Sequence, residues 1–137
     1  MIRLQSAMSL AGVAVFAAVS LHPALVSGQA AGFQSKPILQ TFLSDDDRKE
    51  TVMMAISIAP GGSSGRHTHP GDCYGTVVEG SVEVHADGRE VRRVAAGEVY
   101  HNGRGVVHEI RNAGSAPARA VHTLVIDKGQ PRLTPAK

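Results

Sequence analysis

The chain has 137 residues, with 14 Lys and Arg, 12 Asp and Glu, and a formal net charge of +2. This length suggests one domain, and the near balance of charge argues against a nucleic-acid-binding protein, which needs clustered positive charge. The chain contains one cysteine, Cys73, which excludes an internal disulfide.

Residues 1–30 differ in character from the rest of the chain. They carry one charge, Arg3, followed by the apolar run LAGVAVFAAVSL at 10–21 and by small residues up to Ala30. This order is typical of a secretory signal peptide. The run is shorter than the roughly 20 apolar residues that a membrane span needs. We therefore predict cleavage near Ala30, although an uncleaved N-terminal anchor is an alternative. The mature protein, 31–137, is expected to be periplasmic or secreted, with no membrane segment.

The first part of the mature chain carries the pattern of β-strands, in which apolar residues recur at every second position. The stretch 37–50 is expected to hold one strand and then a solvated connection. In TVMMAISIA (51–59), one face of the predicted strand collects four apolar residues: Val52, Met54, Ile56 and Ile58. After the loop PGGSSG, the segment YGTVVE (74–79) predicts another strand.

A hairpin is predicted next. The segments SVEVHA (81–86) and REVRRV (89–94) flank the dipeptide Asp87-Gly88. Such a dipeptide is a strong signal for a two-residue turn, because both positions tolerate positive φ.

The remaining strands are EVYHN (98–102), VVHEIRN (106–112) and ARAVHTLVI (118–126). The tail, 128–137, is expected to form a strand end and a loose terminus. Short strands with turns every 8 to 12 residues indicate a sandwich or barrel. Alternating βαβ units would need helical stretches of ten or more residues, and the sequence has none. We predict an all-β single domain over 31–137.

Two histidines, His67 and His69, stand two positions apart. Residues i and i+2 of a strand share a face, so both imidazoles would point the same way. Such a pair suits a divalent transition metal. Alone, the H-x-H pattern is a weak signal, because it often arises by chance.

The residues around this pair form two spaced blocks. Residues 61–80 have the pattern G-x5-H-x-H-x3-C-x6-G, and residues 97–112 have the pattern G-x5-G-x-G-x2-H-x3-N. The blocks resemble the two motifs of the cupin superfamily, G-x5-H-x-H-x3,4-E-x6-G and G-x5-P-x-G-x2-H-x3-N. The resemblance spans about residues 50–126. It implies a jelly-roll β-barrel with one metal ion inside the barrel mouth.

The resemblance also implies the ligands His67, His69 and His108. The alternation in VVHEIRN supports His108 separately, because Val106 and Ile110 share its face. The sequence departs from the family pattern at two positions. Gly103 stands where the family usually has proline, and Cys73 stands where the family has glutamate.

Cys73 has two interpretations, which the sequence leaves open. As a fourth ligand, its thiolate would favour copper, iron or zinc over manganese or magnesium, with manganese and nickel remaining possible metals. Alternatively, Cys73 is a small buried hydrophobe beside a three-histidine site, since free cysteine is among the most buried residue types. A third alternative is a barrel that holds no physiological metal.

Other side chains were weighed as parts of the site. His101 is predicted to line it as a catalytic proton shuttle, with an exposed strand histidine as the alternative. His122 shares a face with Leu124 and Ile126, which favours a core or interface residue over a pocket residue. Tyr74 and Tyr100 are interpreted as residues that fill space in strands.

The resemblance to quercetinase-like small cupins implies a mononuclear, dioxygenase-like enzyme that acts on a small molecule. The alternative is a non-catalytic module that binds a metal or a ligand. A third hypothesis is a structural barrel without metal. Cupins commonly pair through their outer sheets, and a domain of this size has a modest core, so a homodimer is expected.

Overall fold

The chain forms two antiparallel five-stranded sheets. A computed structural model describes residues 31–137, so the predicted signal peptide lies outside the described residues. The strands are β1 (Phe33–Phe42), β2 (Lys49–Ile58), β3 (His67–Thr68), β4 (Gly71–Glu79), β5 (Ser81–Ala86), β6 (Arg92–Ala95), β7 (Val99–Asn102), β8 (His108–Arg111), β9 (Ala118–Asp127) and β10 (Thr134–Pro135). The sheet orders are β1-β2-β9-β4-β7 and β10-β3-β8-β5-β6. No helix in this part of the chain is long and apolar enough to cross a membrane.

The predicted alternation sets which face of each strand is buried. In β2 every second residue is buried, and the predicted inward set of Val52, Met54, Ile56 and Ile58 is confirmed. β2 pairs with β9 over its full length, from Lys49 opposite Asp127 to Ile58 opposite Ala118. Side chains from both sheets meet between them, and several of these are fully buried: Val52, Ile58, Val77, Val82, Val94, Ile110 and Ile126. The all-β, single-domain prediction is confirmed.

The predicted hairpin is present, but its second strand is shorter than predicted. Arg89 N donates to the carbonyl of Ala86, and Gly88 has a φ of 74°. The strand pair nearest the turn is Val84 opposite Arg92. The connection between the paired strands is therefore longer than the two residues that were predicted. The residues at 89–91 are exposed, so extending β6 to residue 89 would bury no apolar surface.

The expectation of a loose C-terminus was wrong. Thr134 and Pro135 pair with β3, opposite Thr68 and His67. Beyond them, the backbone N–H of Ala136 donates a hydrogen bond of 2.9 Å to the carbonyl of Arg66. A two-residue strand such as β3 would otherwise be left with unpaired backbone groups along one side, and the tail satisfies them. The last residues of the chain therefore lie beside the histidine pair.

Candidate metal site

Three histidines meet between the sheets. His67 lies in β3 and pairs with His108 in β8, while His69 follows directly after β3. All three side chains are buried, with exposed fractions of 5% for His67, 6% for His69 and 1% for His108. The local alternation predicted that these rings share the interior, and the pairing of β3 with β8 brings them together.

The ring atoms that could bind a metal lie close to one another. One ligand atom from each histidine falls within 4.8 Å of the other two. Nε2 of His67 lies 3.2 Å from Nε2 of His69. The ring centroids are 4.4 to 5.1 Å apart and the rings are tilted, so they do not stack on one another.

Backbone carbonyls fix which nitrogen of each ring carries the proton. His67 Nδ1 donates to Gly65 O at 2.8 Å, and His108 Nδ1 donates to Val106 O at 2.9 Å. His69 Nδ1 donates to the carbonyl of Arg132 at 2.5 Å. A carbonyl only accepts, so each neutral ring has its proton on Nδ1 and a lone pair on Nε2. This is the second-shell arrangement that orients histidine ligands of metals.

The three lone pairs have no proton donor among themselves. Nε2 of His67 and Nε2 of His69 are both acceptors, so their close approach is not a hydrogen bond. The buried Nε2 of His108 has no hydrogen-bond partner within the described residues. Burial lowers the pKa of His69 and of His108 to about 4 and also lowers that of His67, so the rings stay neutral at physiological pH. Three buried imidazole lone pairs without a donor fit a divalent transition metal ion.

The family model for the cupin domain matches residues 54–126, more than half of the chain and both motif blocks. The chain belongs to the cupin family. No curated protein matches the sequence of this cupin. The sequence-based recognition is thereby confirmed.

Solved structures show the same fold. A double-stranded β-helix protein from Klebsiella pneumoniae aligns with a TM-score of 0.64 and 23% identity, over 81% of this chain and 87% of that one. An oxalate oxidase in complex with glycolate aligns with a TM-score of 0.60 and 23% identity, over 75% of this chain and 54% of that one. An oxalate decarboxylase mutant from Bacillus subtilis aligns with a TM-score of 0.56 and 16% identity, over 62% of this chain and 23% of that one. This cupin thus spans about half of the oxidase and a quarter of the decarboxylase, and the likeness shows fold alone.

The structure does not bring Cys73 into the histidine cluster. In the described part of the chain, the group of converging ligand atoms comprises His67, His69 and His108. Cys73 is fully buried within the hydrophobic core, opposite Leu124 on one side and Asn102 on the other. Burial raises the pKa of its thiol to about 12, so it is protonated at neutral pH. This surrounding favours the interpretation of Cys73 as a buried hydrophobe.

His101 lies away from the cluster, on the outer face of its sheet. In β7 the inward positions belong to Tyr100 and Asn102, whereas His101 is exposed. Its ring stacks on Tyr74, and its Nε2 lies 2.9 Å from Asp72 Oδ1. The geometry therefore gives no support to His101 as a catalytic proton shuttle, because adjacent strand residues point to opposite faces.

A cavity of about 350 Å³ adjoins two of the histidines, His67 and His69. Its walls are mainly apolar, formed by Phe33, Pro37, Met54, Ile56, Leu124 and Leu133. His122 also lines the cavity. It therefore has the pocket position that the sequence analysis ranked below a core or interface role. The carbonyl of Arg132 had no signal in the sequence, since any residue supplies a carbonyl and only the docked tail places this one.

We expect Cys73→Ala to retain the metal content of the wild type, because the thiol lies outside the cluster. A four-ligand site would instead lose most of its metal in this variant. The measurement is metal content by mass spectrometry after identical purification and reconstitution of both proteins. Retention would assign Cys73 to packing. Loss of metal, with an unchanged melting profile of the metal-free protein, would establish thiolate ligation.

Proposed function

We propose that this cupin is a mononuclear metal-dependent oxidoreductase, dioxygenase-like, that acts on a small molecule in the cavity beside the three histidines. The observation that supports this most is the convergence of three buried Nε2 lone pairs, two of which belong to histidines that line that cavity, His67 and His69. Neutral imidazoles suit copper, iron, zinc and nickel. We therefore propose one ion of this group, held by His67, His69 and His108, with no preference within the group now that Cys73 lies outside the cluster.

The metal would supply Lewis acidity toward an oxygen of the bound molecule and, if redox-active, reactivity with O2. The protein supplies the rest of the site. The carbonyls of Gly65, Val106 and Arg132 hold the three rings in one tautomer. The mainly apolar walls would contact the apolar part of the bound molecule.

Two structural neighbours support a small-molecule role. An oxalate oxidase bound to glycolate and an oxalate decarboxylase both share this fold. They show that such a barrel can house chemistry on small organic acids. At 23% and 16% identity, these neighbours support a ligand of small size and do not indicate its chemistry.

A second candidate is a non-catalytic module that binds a metal or a ligand. One observation favours it: within the described residues, the histidine cluster contains no carboxylate. A site with three neutral ligands and no adjacent carboxylate lacks an evident proton acceptor, which many metal-dependent reactions need.

Oxygen uptake separates the two candidates. We expect the iron- or copper-loaded protein to consume O2 in the presence of small enols or phenols. The zinc-loaded and metal-free proteins should not. An oxygen electrode measures the rate, with His108→Leu carried through the same loading procedure as the control. If a stoichiometrically loaded protein binds such compounds but consumes no O2, the binding module is the correct function.

We further propose that the mature protein acts in the periplasm or outside the cell as a homodimer. The signal-like segment at 1–30 supports the location. Support for the dimer comes from β1, an edge strand on which Ile38, Leu39 and Phe42 are about half exposed. Exposed apolar residues on an edge strand favour pairing with another chain.

A further inference from the structure

A buried pair of side chains, Tyr100 and His122, lies behind the cavity. His122 belongs to β9 and lines the cavity, with 6% of its surface exposed, while Tyr100 belongs to β7 and is 4% exposed. The phenol of Tyr100 hydrogen-bonds Nε2 of His122. The two rings meet edge to face, with centroids 5.7 Å apart.

The neighbouring strand leaves room for this pair. Gly75 in β4 lies between them, paired with Tyr100 on one side and with His122 on the other. A Cβ at Gly75 would come within 2.0 Å of Tyr100 Cζ, so any larger residue would displace the phenol ring. The absence of a side chain at this position therefore lets the phenol reach across β4 to the histidine.

The hydrogen bond decides which nitrogen of His122 carries its proton. Burial raises the pKa of Tyr100 well above its usual value, so the phenol keeps its proton and donates it to Nε2. Burial also lowers the pKa of His122 to about 3, so the ring is neutral and carries one proton, on Nδ1. Within the described residues, the ring makes no hydrogen bond other than that to Tyr100. Nδ1–H is thus a donor without an acceptor among residues 31–137.

The rest of the cavity limits the chemistry of a ligand. Met54, Ile56 and Leu124 offer apolar contacts on the same sheet as His122. The one basic side chain of the wall, Arg132, donates to Gln40 Oε1 at 3.0 Å, and Gln40 in turn donates to the buried Glu50 carboxylate. This bond to a neutral amide leaves the charge of Arg132 in place, but most of the wall is apolar, so in the metal-free protein a dianion would lose more hydration than the wall replaces.

We propose that the cavity binds a small, mainly apolar molecule with a carbonyl or enol oxygen, and that His122 Nδ1–H donates a hydrogen bond to that oxygen. The proposal rests on the proposed function, because it concerns the ligand of the same site. Tyr100 is the positioning residue, since it acts through His122. A dicarboxylate is the class that the apolar walls disfavour in the metal-free protein.

The test uses two probes that differ in one atom, cyclohexanone and methylenecyclohexane, titrated by NMR into zinc-loaded and metal-free full-length protein. In the wild type we expect cyclohexanone to bind about tenfold more tightly, the size of one buried hydrogen bond. In His122→Leu this preference should disappear, and in His122→Gln, which keeps a donor, part of it should return. His85→Gln is the matched control, since His85 lies in β5 beside Glu83, outside the cavity.

A second readout does not depend on ligand binding. The ¹⁵N shifts of His122 should report a proton on Nδ1 in the wild type and a mixture of tautomers in Tyr100→Phe, which keeps the ring over Gly75. The proposal is overturned if His122 carries its proton on Nε2, or if metal-free His122→Leu retains the preference for cyclohexanone. It is also overturned if oxalate displaces cyclohexanone from the metal-free protein. Failure of zinc to bind would count against the proposed function alone, because the probe comparison remains measurable without metal.

Discussion

His108→Leu should abolish tight metal binding while leaving the metal-free protein folded. The substitution removes one of three converging ligands, and we expect the affinity for zinc to fall by more than about 100-fold, beyond the usual effect of losing a second-shell partner. Calorimetric titration of zinc into the metal-free proteins measures this change. Among the described residues the converging group comprises His67, His69 and His108, and His108 is 1% exposed, so the group offers no fourth side chain to replace it.

The same variant tests whether the cluster is built for a metal or for packing. In the metal-free protein Nε2 of His108 is buried without a partner, which costs about 1–3 kcal/mol. A leucine removes that cost but also loses the bond from Nδ1 to the Val106 carbonyl, so metal-free His108→Leu should unfold at a denaturant concentration close to that of the wild type. Zinc at 100 times its dissociation constant should then stabilise only the wild type, by about 2.7 kcal/mol.

His85→Leu is the matched control for this comparison. His85 also lies in the β5–β8 sheet, but it contacts Glu83 at 3.0 Å instead of the cluster. Its variant should retain wild-type zinc affinity. Equal zinc affinity in His108→Leu and the wild type would show that the three histidines do not form the metal site.

Removal of the C-terminal segment should weaken metal binding, although this segment contributes no ligand. A stop after Gln130 deletes strand β10 and the Arg132 carbonyl that accepts the proton of His69 Nδ1. Without this acceptor, His69 is free to rotate or to change tautomer. Loss of a second-shell partner typically costs 10- to 100-fold in metal affinity, and we expect a decrease of about this size. Zinc titration of the shortened protein measures it.

A shorter deletion provides the control. A stop after Pro135 keeps Arg132 and both pairs of β10 with β3, so its zinc affinity should match that of the full chain. Linkage makes the effect reciprocal: zinc should slow the removal of the tail by carboxypeptidase in the full-length protein. Equal zinc affinity for all three chains would restrict the tail to a packing role.

Two features of this protein were predicted correctly from the sequence: the buried face of β2 and the three histidines that cluster. The alternation of apolar residues in 51–59 correctly predicted the buried face of β2, because the period of a strand is a local property. The spacing of the two motif blocks likewise identified the three histidines that cluster, as a resemblance to a family whose fold fixes where those positions meet. These features required no knowledge of how the strands pair.

The predicted site role of His101 failed because strand β7 has two plausible inner faces. In β7 one face carries Val99 and His101, and the other carries Tyr100 and Asn102. Each face carries one residue that could fill a core, so alternation alone does not decide which face is buried. The structure exposes Val99 at 59% and buries Tyr100 instead, since Gly75 of the paired strand accommodates the phenol ring. A single sequence does not show that complementarity across strands.

The sequence by itself therefore determined the all-β class and the buried face of β2, because these follow from local period, and it pointed to the candidate ligands through the resemblance of two motif blocks to the cupin family. Tertiary structure alone decided that Cys73 packs into the core, that His101 faces outward, and that the tail orients His69. The reason is physical. Each of these outcomes depends on contacts between strands far apart in the chain, and the free energy of such contacts is set by the pairing register and by which side chains fill the shared interior.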